Sequence, residues 1–193
     1  MYEFIEGNLI ELNPAFAVIQ TGGIAYFINI SLSTYAQLEE QKAARLYLHQ
    51  VVREDAILLY GFSDKKEREI FRLLISVSGI GANTARMILS SLSTSEIQNA
   101  IASENVNLIK SVKGIGLKTA QRVIIDLKDK LGKDFKFGEK VQTHNNTIKE
   151  ESLSAMVMLG FAKNVAEKAL DKILSENNNL TVEELIKKAL KIL

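Results

Sequence analysis

The sequence contains no cysteine, so it offers neither a disulfide framework nor a thiolate for metal binding or nucleophilic attack. That absence fits an intracellular protein. Histidine is nearly as scarce: His49 and His144 are the only two. They lie far apart and outside any His-Glu-X-X-His pattern, so a zinc-protease site is not available. A lone strand histidine is more often structural than a ligand. No Gly-Lys-Ser/Thr follows a glycine turn, so there is no P-loop and no nucleotide hydrolysis is expected of this chain. No stretch is long and apolar enough to span a membrane. The first ten residues, MYEFIEGNLI, lack a basic start and a sustained apolar run, so they are not a signal peptide. The composition therefore predicts a soluble, cytoplasmic protein with no catalytic site, no metal and no cofactor.

Net charge is nearly absent too, at +1 over 193 residues, but the average conceals a partition. Residues 1–62 carry 3 basic and 7 acidic side chains, residues 63–133 carry 12 and 7, and residues 134–193 carry 9 and 9. The positive excess is confined to the middle segment, as a phosphate-binding surface requires.

That segment says the same thing twice. Val77, one residue, then Gly79-Ile80-Gly81 returns as Val112, Lys113, Gly114-Ile115-Gly116, an offset of 35 residues. The match extends from Leu73 and Leu108 through Ser76 and Ser111, Thr84 and Thr119, and Ala85 and Ala120, to Leu92 and Leu127. Apolar residues after each glycine pair fall at i, i+3, i+4 and i+7, one face of a helix. Each copy reads helix, tight Gly-X-Gly turn, helix. Such a turn needs backbone angles, or a closeness of approach, that a Cβ would obstruct. The helix after it starts with unpaired N–H groups and the positive end of its dipole, a natural seat for phosphate. One Gly-X-Gly is ordinarily only a turn. Two matched copies with local positive charge point to nucleic-acid binding, and the stretch resembles a tandem helix–hairpin–helix DNA-binding module. A dinucleotide site is excluded by the missing third glycine and the helical segment before the turn, and a solenoid by the lack of a third copy.

Residues 1–62 read as β. The runs Phe16–Gln20, Ala25–Ile30, Leu46–Val52 and Ala56–Phe62 are rich in β-branched and aromatic residues. Gly22-Gly23 and Pro14, the only proline, punctuate the turns. Residues 33–42 are polar, with room for a helical turn. Five short strands in about 60 residues suggest a small Greek-key barrel of the oligonucleotide-binding type, an SH3-like barrel being the alternative. Arg53-Glu54-Asp55 falls at a hairpin tip, either as a plain solvated turn or as an acidic pair that repels phosphates and forbids certain strand paths.

A helix from about Asp64 to Ser78 leads into the repeat, with Ile70, Phe71, Leu74 and Ile75 as its buried stripe. Asp64 with Glu67, Ser93 with Glu96, and Thr181 with Glu184 fit capping boxes. Residues 134–147 show no helical or strand period and read as a flexible linker. Residues 148–193 predict three short helices: Leu153, Met156 and Val157 line the first, and Ala166, Ala169, Leu170, Ile173 and Leu174 the second. Val182, Leu185, Ile186, Ala189 and Leu190 line the third. A bundle with no net charge on a flexible tether suits protein docking better than DNA binding.

The run VVREDAILLYGF, then GIGANTARMIL, then GIGLKTAQRVIIDLKDKL, in this order and spacing, resembles the RuvA family of Holliday-junction-binding proteins. The resemblance covers all three segments. It implies a four-fold symmetric homotetramer that holds a four-way DNA junction open and square on a basic face, with one tetramer or two (an octamer) on the DNA. It also implies an acidic pin at the tetramer centre, matching Glu54 and Asp55. Gly79, Gly81, Gly114 and Gly116 match the family's hairpins, with Thr84 and Thr119 beside them. Lys118 and Arg122 keep basic positions in the second motif. Asn83 stands where lysine is frequent, leaving at best a neutral hydrogen bond. Leu117 also occupies a commonly basic position, and Lys113 replaces a frequent proline. Lys110 and Arg86 are either phosphate contacts or solvated helix positions. MVMLGF is similar to the first helix and turn of ubiquitin-associated (UBA)-like bundles. The resemblance implies that this third domain engages the ring-shaped ATPase RuvB, with Met158, Leu159 and Phe161 as candidate contacts, and that the RuvC nuclease is a further candidate partner. The alternatives are an adaptor that binds DNA without junction preference, and a repair nuclease or glycosylase using Asp126 or Asp129.

Overall fold

The computed structural model describes residues 2–134, 144–177 and 180–192. The chain divides into two compact units, residues 1–136 and 137–193.

The first unit begins with a closed barrel of β1 (Phe4–Asn13), β2 (Phe16–Thr21), β3 (Ile24–Ile30), β4 (Ala43–Val52) and β5 (Ile57–Phe62), in the order β1-β2-β3-β5-β4. Only β3 and β5 run parallel. Helix α1 (Leu32–Leu38) fills the connection from β3 to β4, the polar stretch in which a helical turn is expected. Strand β1 pairs with β4 through Phe4–Asn8 and with β2 through Asn8–Asn13, and an irregularity between Leu9 and Glu11 bends it from one partner to the other. A Cβ on Gly7 would stand 2.1 Å from the Gln20 carbonyl oxygen, so the closure of the sheet depends on that glycine. Ile5, Ala17, Ile19, Ile28, Ile30, Leu46 and Leu48 fill the barrel.

Strand β5 belongs to two cores, by its period of two. Leu59 packs into the barrel, and a Cβ on Gly61 would meet Ile28 at 2.5 Å. Leu58, Tyr60 and Phe62 face the helices instead. These helices are α2 (Lys65–Ile75), α3 (Ala82–Ser91), α4 (Thr94–Ala102), α5 (Val106–Lys110) and α6 (Leu117–Asp134). Phe71 of α2 is wholly buried against His49, Tyr60 and Phe62, with ring centroids 5.3, 5.1 and 4.9 Å away. Burial, with Arg72 and Arg68 nearby, pushes His49 below its ordinary range, so the ring packs on Phe71 in its neutral form. That is a structural histidine, as a lone strand position suggests.

The capping box expected at Asp64 and Glu67 forms only by half. The Asp64 carboxylate accepts from the Glu67 backbone N–H at 2.8 Å, but the Glu67 side chain turns away from the cap. It is buried and accepts hydrogen bonds from Ser31 Oγ and, at 2.7 Å, from Thr34 Oγ1. Each hydroxyl also accepts a backbone N–H: Ser31 from Thr34 at 3.0 Å and Thr34 from Ser63 at 3.1 Å. Burial nonetheless pushes the Glu67 carboxyl upward. The next residue, Arg68, is also buried and donates to the Glu3 carbonyl at 2.8 Å and the Glu3 carboxylate at 2.7 Å. One turn of α2 thus binds the helices to α1 on one side and to the chain entering β1 on the other. Ser93 and Glu96 complete the box expected of them.

Helix α6 continues through Lys133 to Asp134, and α7 (His144–Met158) starts within the stretch read as linker. Residues 135–143, the rest of that stretch, lie outside the described residues. The second unit holds α7, α8 (Lys163–Glu176) and α9 (Val182–Ile192) around Met156, Ala166, Leu170, Ile173, Leu185 and Ala189. Val157 and Leu190, expected in the buried stripes, are instead 44% and 45% exposed. Each lies one residue, or 100°, past a wholly buried neighbour, Met156 or Ala189. Thr181 and Glu184 form their box reciprocally. Helix α7 stops in a Schellman turn: Gly160 at φ +98°, Gly160 N–H to Val157 O, and Phe161 N–H to Met156 O.

Candidate nucleic-acid interface

The two Gly-X-Gly turns have one geometry. In the first, Val77 O accepts from Ile80 N–H at 3.0 Å, Gly79 lies at φ +93°, and Gly81 O accepts from Ala85 N–H at 2.9 Å. In the second, Val112 O accepts from Ile115 N–H at 3.1 Å, Gly114 lies at φ +89°, and Gly116 O accepts from Ala120 N–H at 2.9 Å. Even the leading serines agree, Ser76 Oγ donating to Leu73 O and Ser111 Oγ to Leu108 O, both at 2.7 Å. Val77, Ile80, Val112 and Ile115 are buried and pin each turn to the core.

The glycines divide the work. Gly79 and Gly114 need positive φ, which side chains disfavour. Gly81 and Gly116 do not, and no protein atom beyond the neighbouring residues of the chain lies within 4 Å of where their Cβ atoms would be. The fold leaves open space at all four glycines, and the second of each turn stands directly before a helix. Gly81 caps α3 with no side chain over the helix end, so the first N–H groups of α3 face that space.

Around this surface Gly79, Gly81, Asn83, Gly114, Gly116, Lys118 and Arg122 are exposed, and Thr84 and Thr119 half-buried. Arg122 of α6 donates toward the Ser78 carbonyl at 3.4 Å, and Lys130 donates to Ser76 Oγ at 2.9 Å. Helix α6 of the second copy therefore lies beside the first copy's turn. Lys110 and Lys113 are exposed. Arg86 differs: its guanidinium donates to the Ala15 carbonyl at 2.7 Å, so it holds α3 to the turn between β1 and β2. The nuclease candidate Asp126 is exposed on α6, and the Asp129 side chain falls outside the described residues. Among the described residues no three His, Cys, Asp or Glu side chains gather.

Glu54 and Asp55 sit at the tip between β4 and β5, closed by Arg53 N–H to Ala56 O at 2.8 Å. Both are exposed and make no ion pair among the described residues. In the second unit Met158 and Leu159 are 86% and 61% exposed, whereas Phe161 packs against the core. Sequence reasoning missed Tyr60, whose buried hydroxyl donates to Asn83 Oδ1 at 3.1 Å. Nothing in the sequence pairs a strand tyrosine with a helix residue 23 positions later.

A closed five-stranded barrel fused to two matched hairpins, with a separate three-helix unit, defines a DNA-binding class built on oligonucleotide-binding and tandem helix–hairpin–helix parts. Family models divide the chain in the same way: RuvA N terminal domain over residues 1–61, SAM-like Helix-hairpin-helix tandem over 71–129, and RuvA, C-terminal domain over 147–193. The chain is 52% identical to the Holliday junction branch migration complex subunit RuvA of Bacteroides thetaiotaomicron and 54% identical to that of Christiangramia forsetii, each over 99% of both chains. It is 46% identical to that of Cytophaga hutchinsonii over the full length of both. The chain belongs to the RuvA family of Holliday junction branch migration complex subunits.

Proposed function

We propose that this chain is a non-catalytic subunit that binds four-way junction DNA and recruits a RuvB ATPase to drive branch migration. The observation that carries the reading is the pair of matched hairpins, whose second glycines leave open space over a helix start on the most basic part of the chain. A phosphate entering that space meets backbone N–H groups, and at the second hairpin the cations of Lys118 and Arg122. Because the grip is on the backbone, it is indifferent to sequence, as a subunit that lets DNA slide through it requires. In a homotetramer four such faces hold four arms, singly or as an octamer enclosing the DNA. Glu54 and Asp55 then stand at the centre, where like charge keeps phosphates from crossing and separates strands. The α7–α8 turn, with Met158 and Leu159 exposed, is the docking surface for RuvB, and a RuvC nuclease is a candidate to share the complex.

The test is binding to a synthetic four-way junction and to a duplex of equal length, titrated across salt. The expected result is a strong junction preference, with log K falling by about 0.9 per log unit of salt for each phosphate neutralised. Equal affinity for both DNAs at matched salt would leave only a generic backbone clamp.

A further inference from the structure

The two hairpins share a backbone but not a chemistry. With the offset of 35 residues, Lys118 of the second copy corresponds to Asn83 of the first, Arg122 to Met87, and Lys113 to Ser78. Every cation that the second copy places around its turn is thus neutral in the first. Arg86 of the first copy is occupied by the Ala15 carbonyl, and the cations that reach the first turn, Arg122 at the Ser78 carbonyl and Lys130 at Ser76 Oγ, come from α6 of the second copy. If both turns seat a phosphate, the first must do so without a side-chain charge of its own.

What the first copy has instead is a brace. Tyr60 lies on β5 with its side chain 1% exposed, and its hydroxyl donates to Asn83 Oδ1 at 3.1 Å. An amide whose oxygen is held from below has its Nδ2 hydrogens turned away from that partner. Asn83 is exposed and is the second residue of α3, beside the helix N–H groups and the open space at Gly81. The brace also favours this direction of the amide, because a rotated Asn83 would take the acceptor away from the buried phenol O–H. We propose that Tyr60 is a positioning residue that holds the Asn83 amide as the neutral phosphate donor of the first hairpin, leaving the salt-dependent grip to the second. Burial raises the Tyr60 phenol above its ordinary range, although Arg86 and Arg53 pull it the other way. The hydroxyl therefore keeps its proton and remains a donor throughout the working pH range.

This inference rests on the phosphate-grip reading, and the experiment separates the two. The full-length chain is titrated with a synthetic four-way junction at several salt concentrations, as wild type, Tyr60→Phe, Asn83→Ala, Asn83→Lys, Lys118→Ala, and the Tyr60→Phe combinations with each Asn83 variant. Tyr60→Phe and Asn83→Ala should each weaken binding roughly three- to tenfold, the scale of one hydrogen bond. Their double variant should be no weaker than Asn83→Ala alone. Neither should change the salt slope, because a neutral donor displaces no counterion, whereas Lys118→Ala should flatten it by about 0.9 per engaged subunit. Asn83→Lys should steepen the slope and become insensitive to Tyr60→Phe, since an ammonium needs no such orientation. A merely structural role for Tyr60 predicts the same loss in every background. That additivity, or wild-type affinity in Tyr60→Phe while Lys118→Ala weakens binding, would overturn the brace and leave the grip standing. If neither Lys118→Ala nor Asn83→Ala weakens binding, the grip itself fails and the brace with it.

Discussion

Alanine at the two glycines of one hairpin should separate folding from binding. Gly79 has φ +93° and no protein atom beyond its chain neighbours within 4 Å of where a Cβ would stand, so Gly79→Ala meets no tertiary clash and its cost is torsional. A left-handed alanine costs about 1–2 kcal/mol. For a chain of this length each kcal/mol lowers Tm by about 2–4 °C, so Gly79→Ala should lose roughly 2–8 °C, and Gly114→Ala the same. Gly81 has φ −84° and equally open surroundings, so Gly81→Ala should change stability by less than about 0.5 kcal/mol. Its methyl group nevertheless fills the space in which a phosphate would approach the α3 N–H groups. The loss of charge-assisted hydrogen bonds of about 1.5–3 kcal/mol should weaken junction binding by roughly ten- to a hundredfold. Thermal unfolding by circular dichroism and junction binding by fluorescence anisotropy on the same preparations measure both quantities. Equal Tm losses in Gly79→Ala and Gly81→Ala would refute the division of labour between the glycines. Wild-type binding by Gly81→Ala at unchanged Tm would refute the grip.

Three further outcomes follow from the same geometry. Because burial raises the carboxyl of Glu67 above its ordinary 4.5, the folded chain holds that proton more tightly than the unfolded chain. The Glu67 contribution to stability should thus fall as pH rises from about 4.5 through the folded-state value, and the stability of wild type relative to Glu67→Gln, measured by urea unfolding across that window, should fall accordingly; a pH-independent difference would contradict it. The double variant Glu54→Gln, Asp55→Asn removes two exposed charges and should leave stability within about 0.5 kcal/mol while tightening duplex binding more than junction binding in a competition assay. Met158→Ala with Leu159→Ala should keep Tm but abolish capture by purified RuvB, whereas Phe161→Ala should lower the stability of the second unit, since only Phe161 packs on its core.

How much of this was legible depends on whether the signal was local. The hairpins were, because each compresses a buried valine and isoleucine, a positive-φ glycine and a helix start into a few residues, and the repeat confirms the pattern. Strand β1 was faint. Its alternation is broken by the irregularity between Leu9 and Glu11 and by Gly7, which exist because one strand serves two partners. The fate of Glu67 was invisible: its spacing from Asp64 suits a capping box, but two hydroxyls some thirty residues earlier in the chain compete for the carboxylate and win. Arg86 was open between phosphate and solvent, and the structure gave it a third partner, the Ala15 carbonyl. In each case the deciding group came from a distant part of the chain, which no local pattern encodes.

The shared core has a mechanical consequence for the junction-binding reading. Strand β5 leaves the acidic tip at Ile57 and within three residues puts Tyr60 against Phe71 and under Asn83. Swinging the tip relative to the first hairpin would pull Tyr60 and Phe62 off a wholly buried Phe71, whose packing is worth about 3–5 kcal/mol by the cost of removing such a ring. It would also disturb Glu67 on its two hydroxyls and Arg68 on Glu3. Against a total stability of about 5–15 kcal/mol for a domain, that motion is close to unfolding. The tip and the hairpins of one subunit therefore act as a rigid gauge. On the function proposed above, strands would separate as DNA is drawn past this acidic point at a set distance from the phosphate grips, and the energy for that movement would enter through the DNA rather than through a conformational change in this unit.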